Sequence, residues 1–111
     1  VLGCFAEGET RISGAARLRY KESDRLAAIT SELSALGANI EETDDGLVTR
    51  GPSLLNGGTV RSHGDHRIAM ALSVAALAAE GNVVIEGSEC VCKSYPNFFD
   101  DLRSLGVDIV E

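Results

Sequence analysis

The chain has 111 residues, 44% of them hydrophobic, and a formal net charge of -7. That length supports one domain with a modest core and no disulfide staple, while the acidic balance excludes a non-specific binder of phosphodiester backbones, which carries a broad basic surface. No charged leader precedes an apolar stretch, and the longest apolar run, Ile68 to Ala79, is too short and alanine-rich to span a bilayer.

In chain order, Leu26, Ile29, Leu33 and Leu36 recur at helical spacing, with Ser23 or Asp24 as the cap and Gly37 where a left-handed terminator belongs. Residues 38–43 and 47–50 read as two strands of a hairpin around Asp44-Asp45-Gly46, since an Asp-Gly pair supplies the positive φ of a tight turn. Gly51 to Gly58 reads as a loop and Thr59 to Ser62 as a short strand. From Asp65 to Ala79 apolar residues occupy almost every face, which predicts a helix buried on most sides. Val83 to Ile85 is a strand, Pro96 opens a third helix carrying Phe98, Phe99, Leu102 and Leu105, and Val107 to Val110 is a last strand. Cys4, Cys90 and Cys92, odd in number and with only one C-x-C pair, read as free thiols of a reducing compartment. Cytoplasm is the default location.

The chain also repeats itself. Gly8-Glu9-Thr10-Arg11-Ile12-Ser13-Gly14 shares a G-x5-G frame, with isoleucine fifth, with Gly81-Asn82-Val83-Val84-Ile85-Glu86-Gly87. Each copy leads through a lysine-bearing turn and an amphipathic helix to a Leu-Gly-small-x-Ile ending, at Leu36 to Ile40 and at Leu105 to Ile109. Phe5-Ala6-Glu7-Gly8 also resembles Ala78-Ala79-Glu80-Gly81. This is a duplicated β-α-β unit with a period of roughly seventy residues, longer than ordinary solenoid repeats. The copies occupy 1–50 and 81–111. They predict a single-domain fragment over 1–111, a first residue inside a truncated helix, and a second copy that stops before its hairpin.

Three strand-to-helix junctions carry the candidate chemistry: Lys21-Glu22-Ser23-Asp24-Arg25, Gly64-Asp65-His66-Arg67 and Cys92-Lys93-Ser94-Tyr95-Pro96. Helix amino ends present unsatisfied N–H groups and a positive dipole, so Arg25, Arg67 and Lys93 there make three candidate anion grips. Arginine forks suit carboxylate and phosphate, whereas a lysine is a point charge that can also pass a proton. The bland alternatives are a solvated charged first turn for KESDR, a capping or packing histidine for His63 and His66, and a snorkelling surface lysine for Lys93. A metal on His63-x-x-His66 lacks a further ligand, and Gly64 marks a turn instead of a ligand-bearing helix. No nucleophile elbow, phosphate loop or dinucleotide fingerprint is present.

Taken in series, KESDR, the GDHRIAMA run and the CxKSYPNFFDDL segment resemble the motifs of the EPSP synthase family, the 3-phosphoshikimate 1-carboxyvinyltransferases, across essentially the whole chain. The resemblance implies an α+β fold built on βαβαββ units, with mixed sheets and helices, in the inside-out α/β barrel architecture of enolpyruvyl transferases. This chain would be roughly the last quarter of such an enzyme. It implies transfer of the enolpyruvyl group of phosphoenolpyruvate to the 5-hydroxyl of shikimate 3-phosphate, with release of phosphate, in the route to chorismate and aromatic amino acids. Lys21 would contact shikimate 3-phosphate. Arg25, Arg67 and Lys93 would bind phosphoenolpyruvate, the substrate that glyphosate mimics. Glu22 and Lys93 would be catalytic, Glu22 in proton transfer at the methylene carbon, and His66 would support the site beside Arg67. No metal or organic cofactor is implied, and the partners are the two small-molecule substrates and the missing domain of the same monomeric enzyme, with neither nucleic acid nor membrane.

The family's aspartate that deprotonates the shikimate hydroxyl is absent from this chain, so the isolated fragment is expected to be inactive. Arg17 stands where some relatives carry an asparagine, and it receives no role. Two rival readings are a fragment of the sister transferase acting on UDP-N-acetylglucosamine, and a non-catalytic βαβ module that binds a partner through a strand edge or helix face.

Overall fold

A computed structural model describes all 111 residues. A short helix α1 (Leu2–Phe5) is followed by β1 (Gly8–Ile12), a 3₁₀ helix over Ala16–Tyr20, α2 (Arg25–Ala35), β2 (Ile40–Glu42), β3 (Leu47–Gly51), β4 (Asn56–Arg61), α3 (His66–Ala76), β5 (Glu80–Glu86), a second 3₁₀ helix over Ser88–Lys93, and α4 (Phe98–Ser104).

The strands form two sheets. In the first, β3 lies between β1 and β2 and runs antiparallel to both, from Gly8↔Gly51 to Ile12↔Leu47 on one edge and from Ile40↔Thr49 to Glu42↔Leu47 on the other. β1 and β2 are therefore parallel to each other, joined by α2, with the hairpin strand slotted between them. In the second sheet β4 and β5 pair in parallel from Asn56↔Glu80 to Arg61↔Glu86, with α3 as the crossover. The α+β class and the β-α-β units are as the sequence predicts. The strands and longer helices follow in the order β1-α2-β2-β3-β4-α3-β5-α4, which holds parts of βαβαββ units and no complete one.

The repeat extends to backbone conformation. Gly8 and Gly81 have φ of 91° and 92°, Gly14 and Gly87 of 69° and 77°, Gly37 and Gly106 of 103° and 96°. Only glycine takes these left-handed values at little cost, so the shared frame is a shared set of chain reversals. Both copies also carry a 3₁₀ helix, ending just before Lys21 in the first and at Lys93 in the second, where the sequence reads only as a turn.

Leu33, Leu36, Leu55, Val60, Ile68 and Leu72 are all but fully buried and hold α2, α3 and β4 together. Each buried leucine contributes about 1.5–3 kcal/mol relative to an exposed one. On another face of α3, Ala69 packs with Cys90 and Val91, flanked by Met70, Phe98 and Phe99. α3 therefore serves two clusters and fixes the second 3₁₀ helix against the first half of the chain.

Four expectations are corrected. β4 starts at Asn56, inside the predicted loop, because its pairing with β5 reaches back to Glu80. α3 is not buried on most sides: beyond its two packed faces, Val74 and Leu77 remain 45% and 52% exposed because nothing in the chain covers them. Pro96 precedes the third helix, which begins at Phe98. Residues 107–110 form no strand, since no segment lies alongside to complete a ladder as β3 does for β2. The three thiols are free, Cys4 and Cys90 buried and Cys92 exposed.

Candidate active site

The first two junctions meet through one ion pair. Asp65 is fully buried and caps α3, accepting from the Arg67 backbone N–H at 3.0 Å. Its carboxylate also receives Arg25 Nε at 2.8 Å, Arg25 Nη2 at 3.3 Å and the Ser23 hydroxyl at 2.7 Å. Burial pushes the Asp65 carboxyl up, but the hydrogen bonds from Arg25, Ser23 and the Arg67 N–H outweigh it and leave its pKa below the ordinary carboxylate value. Arg25 is raised in turn, chiefly by its hydrogen bond to Asp65. A buried carboxylate thus pins the amino end of α2 to that of α3.

The approach to Asp65 is a tight turn. Asp65 N–H donates to Ser62 C=O at 3.0 Å, and both central residues are left-handed, His63 at φ 56° and Gly64 at φ 67°. A non-glycine residue there is uncommon. His63 Nε2 lies 3.3 Å from Glu32 Oε1, and the Ser62 hydroxyl donates to Gly87 C=O at 2.8 Å. The turn is so close to Gly87 that a Cβ there would sit 2.6 Å from Ser62 Oγ.

Of the two proposed caps of α2, Asp24 is the one that acts, accepting from the Ala27 N–H at 3.1 Å; Ser23 turns to Asp65 instead. Arg19, which carried no signal in the sequence, is the third anchor. Its guanidinium reaches Asp24 at 3.0 Å, Glu42 at 2.5 Å and the carbonyls of Thr43 and Asp44 at 2.7 and 3.2 Å, tying the first 3₁₀ helix and the cap to the β2–β3 hairpin.

Of the predicted site residues, Arg25 sits in this framework with its side chain 12% exposed, and it also reaches Glu22 Oε2 at 2.5 Å. Glu22 is held below its ordinary pKa, first by its own backbone N–H, then by Arg25 and by nearby His66, against opposing burial and the Asp65 charge. Glu22, Arg25, Asp65 and His66 are therefore one electrostatic cluster. His66 opens α3, and its Nδ1 is buried without a hydrogen-bond partner. Lys93 ends the second 3₁₀ helix, whose Cys90 and Val91 pack on Ala69 in the first turn of α3, so the third junction is set against the same helix.

Charge pairing separates the cations. Of ten lysines and arginines, six (Arg11, Arg19, Arg25, Arg50, Arg61 and Arg103) have carboxylate partners. Arg17, Lys21, Arg67 and Lys93 have none and are exposed. In a chain with seventeen acidic residues, unpaired basic side chains at successive junctions suit a ligand that brings its own negative charge. The class so defined is an α+β protein with unpaired cations near its strand-to-helix junctions and a buried arginine–aspartate fork; Lys93, expected at a helix amino end, instead closes a 3₁₀ helix ahead of α4.

Comparison with known proteins gives that class a family. The family model described as EPSP synthase (3-phosphoshikimate 1-carboxyvinyltransferase) matches residues 1–102, and this chain belongs to that family. It is 56% identical over its full length to the 3-phosphoshikimate 1-carboxyvinyltransferase of Clostridium acetobutylicum, covering 26% of that protein. It is 50% identical over 98% of its length to that of Methanocaldococcus jannaschii, covering 25%. Among solved structures, EPSP synthase from Acinetobacter baumannii superposes with a TM-score of 0.87 at 38% identity, over 92% of this chain and 24% of that one. The enolpyruvyl transferase NikO from Streptomyces tendae superposes with a TM-score of 0.78 at 32% identity, over 96% and 23%. The chain spans about a quarter of the length of these relatives, and the inside-out α/β barrel of enolpyruvyl transferases is the fold to which it contributes. No helix is long and apolar enough to cross a membrane.

Proposed function

We propose that residues 1–111 supply part of the active site of an enzyme that transfers the enolpyruvyl group of phosphoenolpyruvate to the 5-hydroxyl of shikimate 3-phosphate and releases phosphate. The observation that carries this reading is the set of unpartnered cations, Lys21, Arg67 and Lys93, at the three junctions joined by Arg25–Asp65 and by packing on α3. Arg67 and Lys93, with the remaining face of Arg25, grip the carboxylate and phosphate of phosphoenolpyruvate. Lys21 takes shikimate 3-phosphate, and His66 supports Arg67.

The chemistry asks for such a set. Protonation of the methylene carbon makes the adjacent carbon cation-like and open to the hydroxyl oxygen; departure of phosphate and loss of a proton from the new methyl group restore the double bond. Fixed cations hold the anionic groups through both steps. Glu22, kept ionised by its own N–H and Arg25, suits the deprotonation; a bound anion beside it raises its pKa and lets it hold a proton for the protonation. Lys93 is the second proton-handling group. A base for the shikimate hydroxyl is not among these residues, so the chain by itself is inactive and the rest of the polypeptide completes the site. A single-domain fragment of a cytoplasmic, monomeric enzyme belongs to the same proposal.

An amide NMR titration with phosphoenolpyruvate, against sulfate at matched ionic strength, tests it. The expected result is phosphoenolpyruvate-specific shifts near Arg25, Arg67 and Lys93, weakened about tenfold by Arg67→Gln, the loss of one charge-assisted contact. Equal responses to both anions, or shifts confined elsewhere, would overturn it.

A further inference from the structure

We propose that Glu32 is a positioning residue for the anion grip: it holds His63 in the left-handed region and so sets the turn from which Asp65 and Arg67 enter α3. The inference rests on the reading of Arg67 as a substrate contact and adds to it a buried residue set back in α2. Glu32 is 8% exposed, and no step of the proposed chemistry uses it. Its two oxygens grip the chain on both sides of Ser62. Oε2 accepts the Arg61 backbone N–H at 3.4 Å, and Oε1 lies 3.3 Å from His63 Nε2. The Ser62 N–H faces the other way and donates to Glu86 C=O at 3.0 Å, so Glu32 meets β4 on the edge that β5 leaves free.

Only one of the two central residues of the turn needs such a clamp. Gly64, at φ 67°, takes the left-handed conformation at little cost, and its N–H is also held by the Ser62 hydroxyl at 3.1 Å. His63, at φ 56°, carries a Cβ that disfavours this conformation by about tenfold in population. Strained residues persist where their surroundings over-determine them, and the polar side-chain contact that His63 makes is to Glu32. Relaxation of His63 would take the Asp65 N–H away from the Ser62 carbonyl, and the cap of α3 and Arg67 would move with it. The binding-competent fraction then falls, and apparent affinity falls in proportion.

The test variant is Glu32→Met, which keeps an unbranched, helix-compatible side chain but has no carboxylate. The expected result is about tenfold weaker binding in the phosphoenolpyruvate titration, with about tenfold faster exchange of the Asp65 amide read without ligand. Adding His63→Asn gives the turn the Asn-Gly pair that favours positive φ at both central residues, and should restore both affinity and protection. A merely structural loss in α2 would not be repaired from residue 63. Unchanged affinity and exchange in Glu32→Met, or losses that His63→Asn leaves in place, would overturn the proposal. His63 is exposed, so a second pair decides the matter should Glu32→Met fail to fold. His63→Ala and His63→Asn both remove the ring, yet the alanine variant should bind about tenfold more weakly; equal affinities would count against the clamp. A parent chain that ignores phosphoenolpyruvate would overturn the functional reading instead, and exchange of the Asp65 amide would then decide alone for or against Glu32.

Discussion

The two copies of the repeat share glycine conformations to within a few degrees and still differ in almost every energetic respect. In the first, Leu36 is 1% exposed, α2 runs eleven residues from a side-chain cap, and β2 is paired. In the second, the equivalent Leu105 is 80% exposed, α4 has seven residues and no side-chain cap, and the segment after it is unpaired. The local frame is written in glycine and leucine; burial is conferred by what lies alongside. In the first copy β3 pairs with β2, while Leu55 and Val60 cover Leu36.

The sharpest test of this contrast is to truncate the matched leucines. Leu36→Ala should cost about 2–5 kcal/mol, as for a fully buried leucine, while Leu105→Ala should lie within about 0.5 kcal/mol of the parent. Equal losses in urea melts would mean that the second copy is as closed as the first.

The next largest effect concerns the tie between the first copy and α3. Asp65→Asn leaves Arg25 largely buried beside an uncharged partner, and breaking such a pair costs about 3 kcal/mol, at the low end of the range because Glu22 still reaches Arg25. Asp65 has a lowered folded-state pKa, so its contribution is complete above the unfolded value near 4 and is lost as pH falls through the folded value. The parent should therefore lose stability below about pH 4, whereas the Asp65→Asn variant should give a flatter profile there; parallel profiles would break the assignment.

Much of this organisation was legible. The spacing of Leu26, Ile29, Leu33 and Leu36, the turn at 44–46 and the glycine frame are local signals, and they place α2, β2, β3 and the repeat; the expected positive φ at Gly46 is not found, and it is the close approach of the Ile12 carbonyl, 1.7 Å from where a Cβ would stand, that calls for glycine there. The Arg25–Asp65 fork was not, because two motifs forty residues apart show their charges but not which carboxylate will face which guanidinium. Asp65 reads from sequence as the first residue of a helix, and only burial turns it into a clamp. Arg19 was silent for a related reason: half of its partners are backbone carbonyls, which have no sequence signature.

Smaller effects refine the same comparison. Asp24→Ala removes the cap that α4 lacks and should cost about 1 kcal/mol, bringing α2 closer to its counterpart; no change in the melt would mean that neither the cap nor the Arg19 bond to it holds the helix start. Arg19→Met should accelerate amide exchange in the hairpin at Thr43 without altering the global transition. Protection unchanged there would show that the Thr43 N–H to Gly46 C=O bond and the strand pairs hold the turn by themselves.

The placing of β3 between β1 and β2 also fixes an order of assembly. The β2–β3 hairpin and α2 are short-range structures, able to form in microseconds or less, whereas β1 reaches its partner only when residue 8 meets residue 51. Docking of β1 is the long loop closure of this half and the step on which its folding rate should depend. A nascent chain with β1 unattached would expose one edge of β3, making that strand the segment most in need of protection during synthesis.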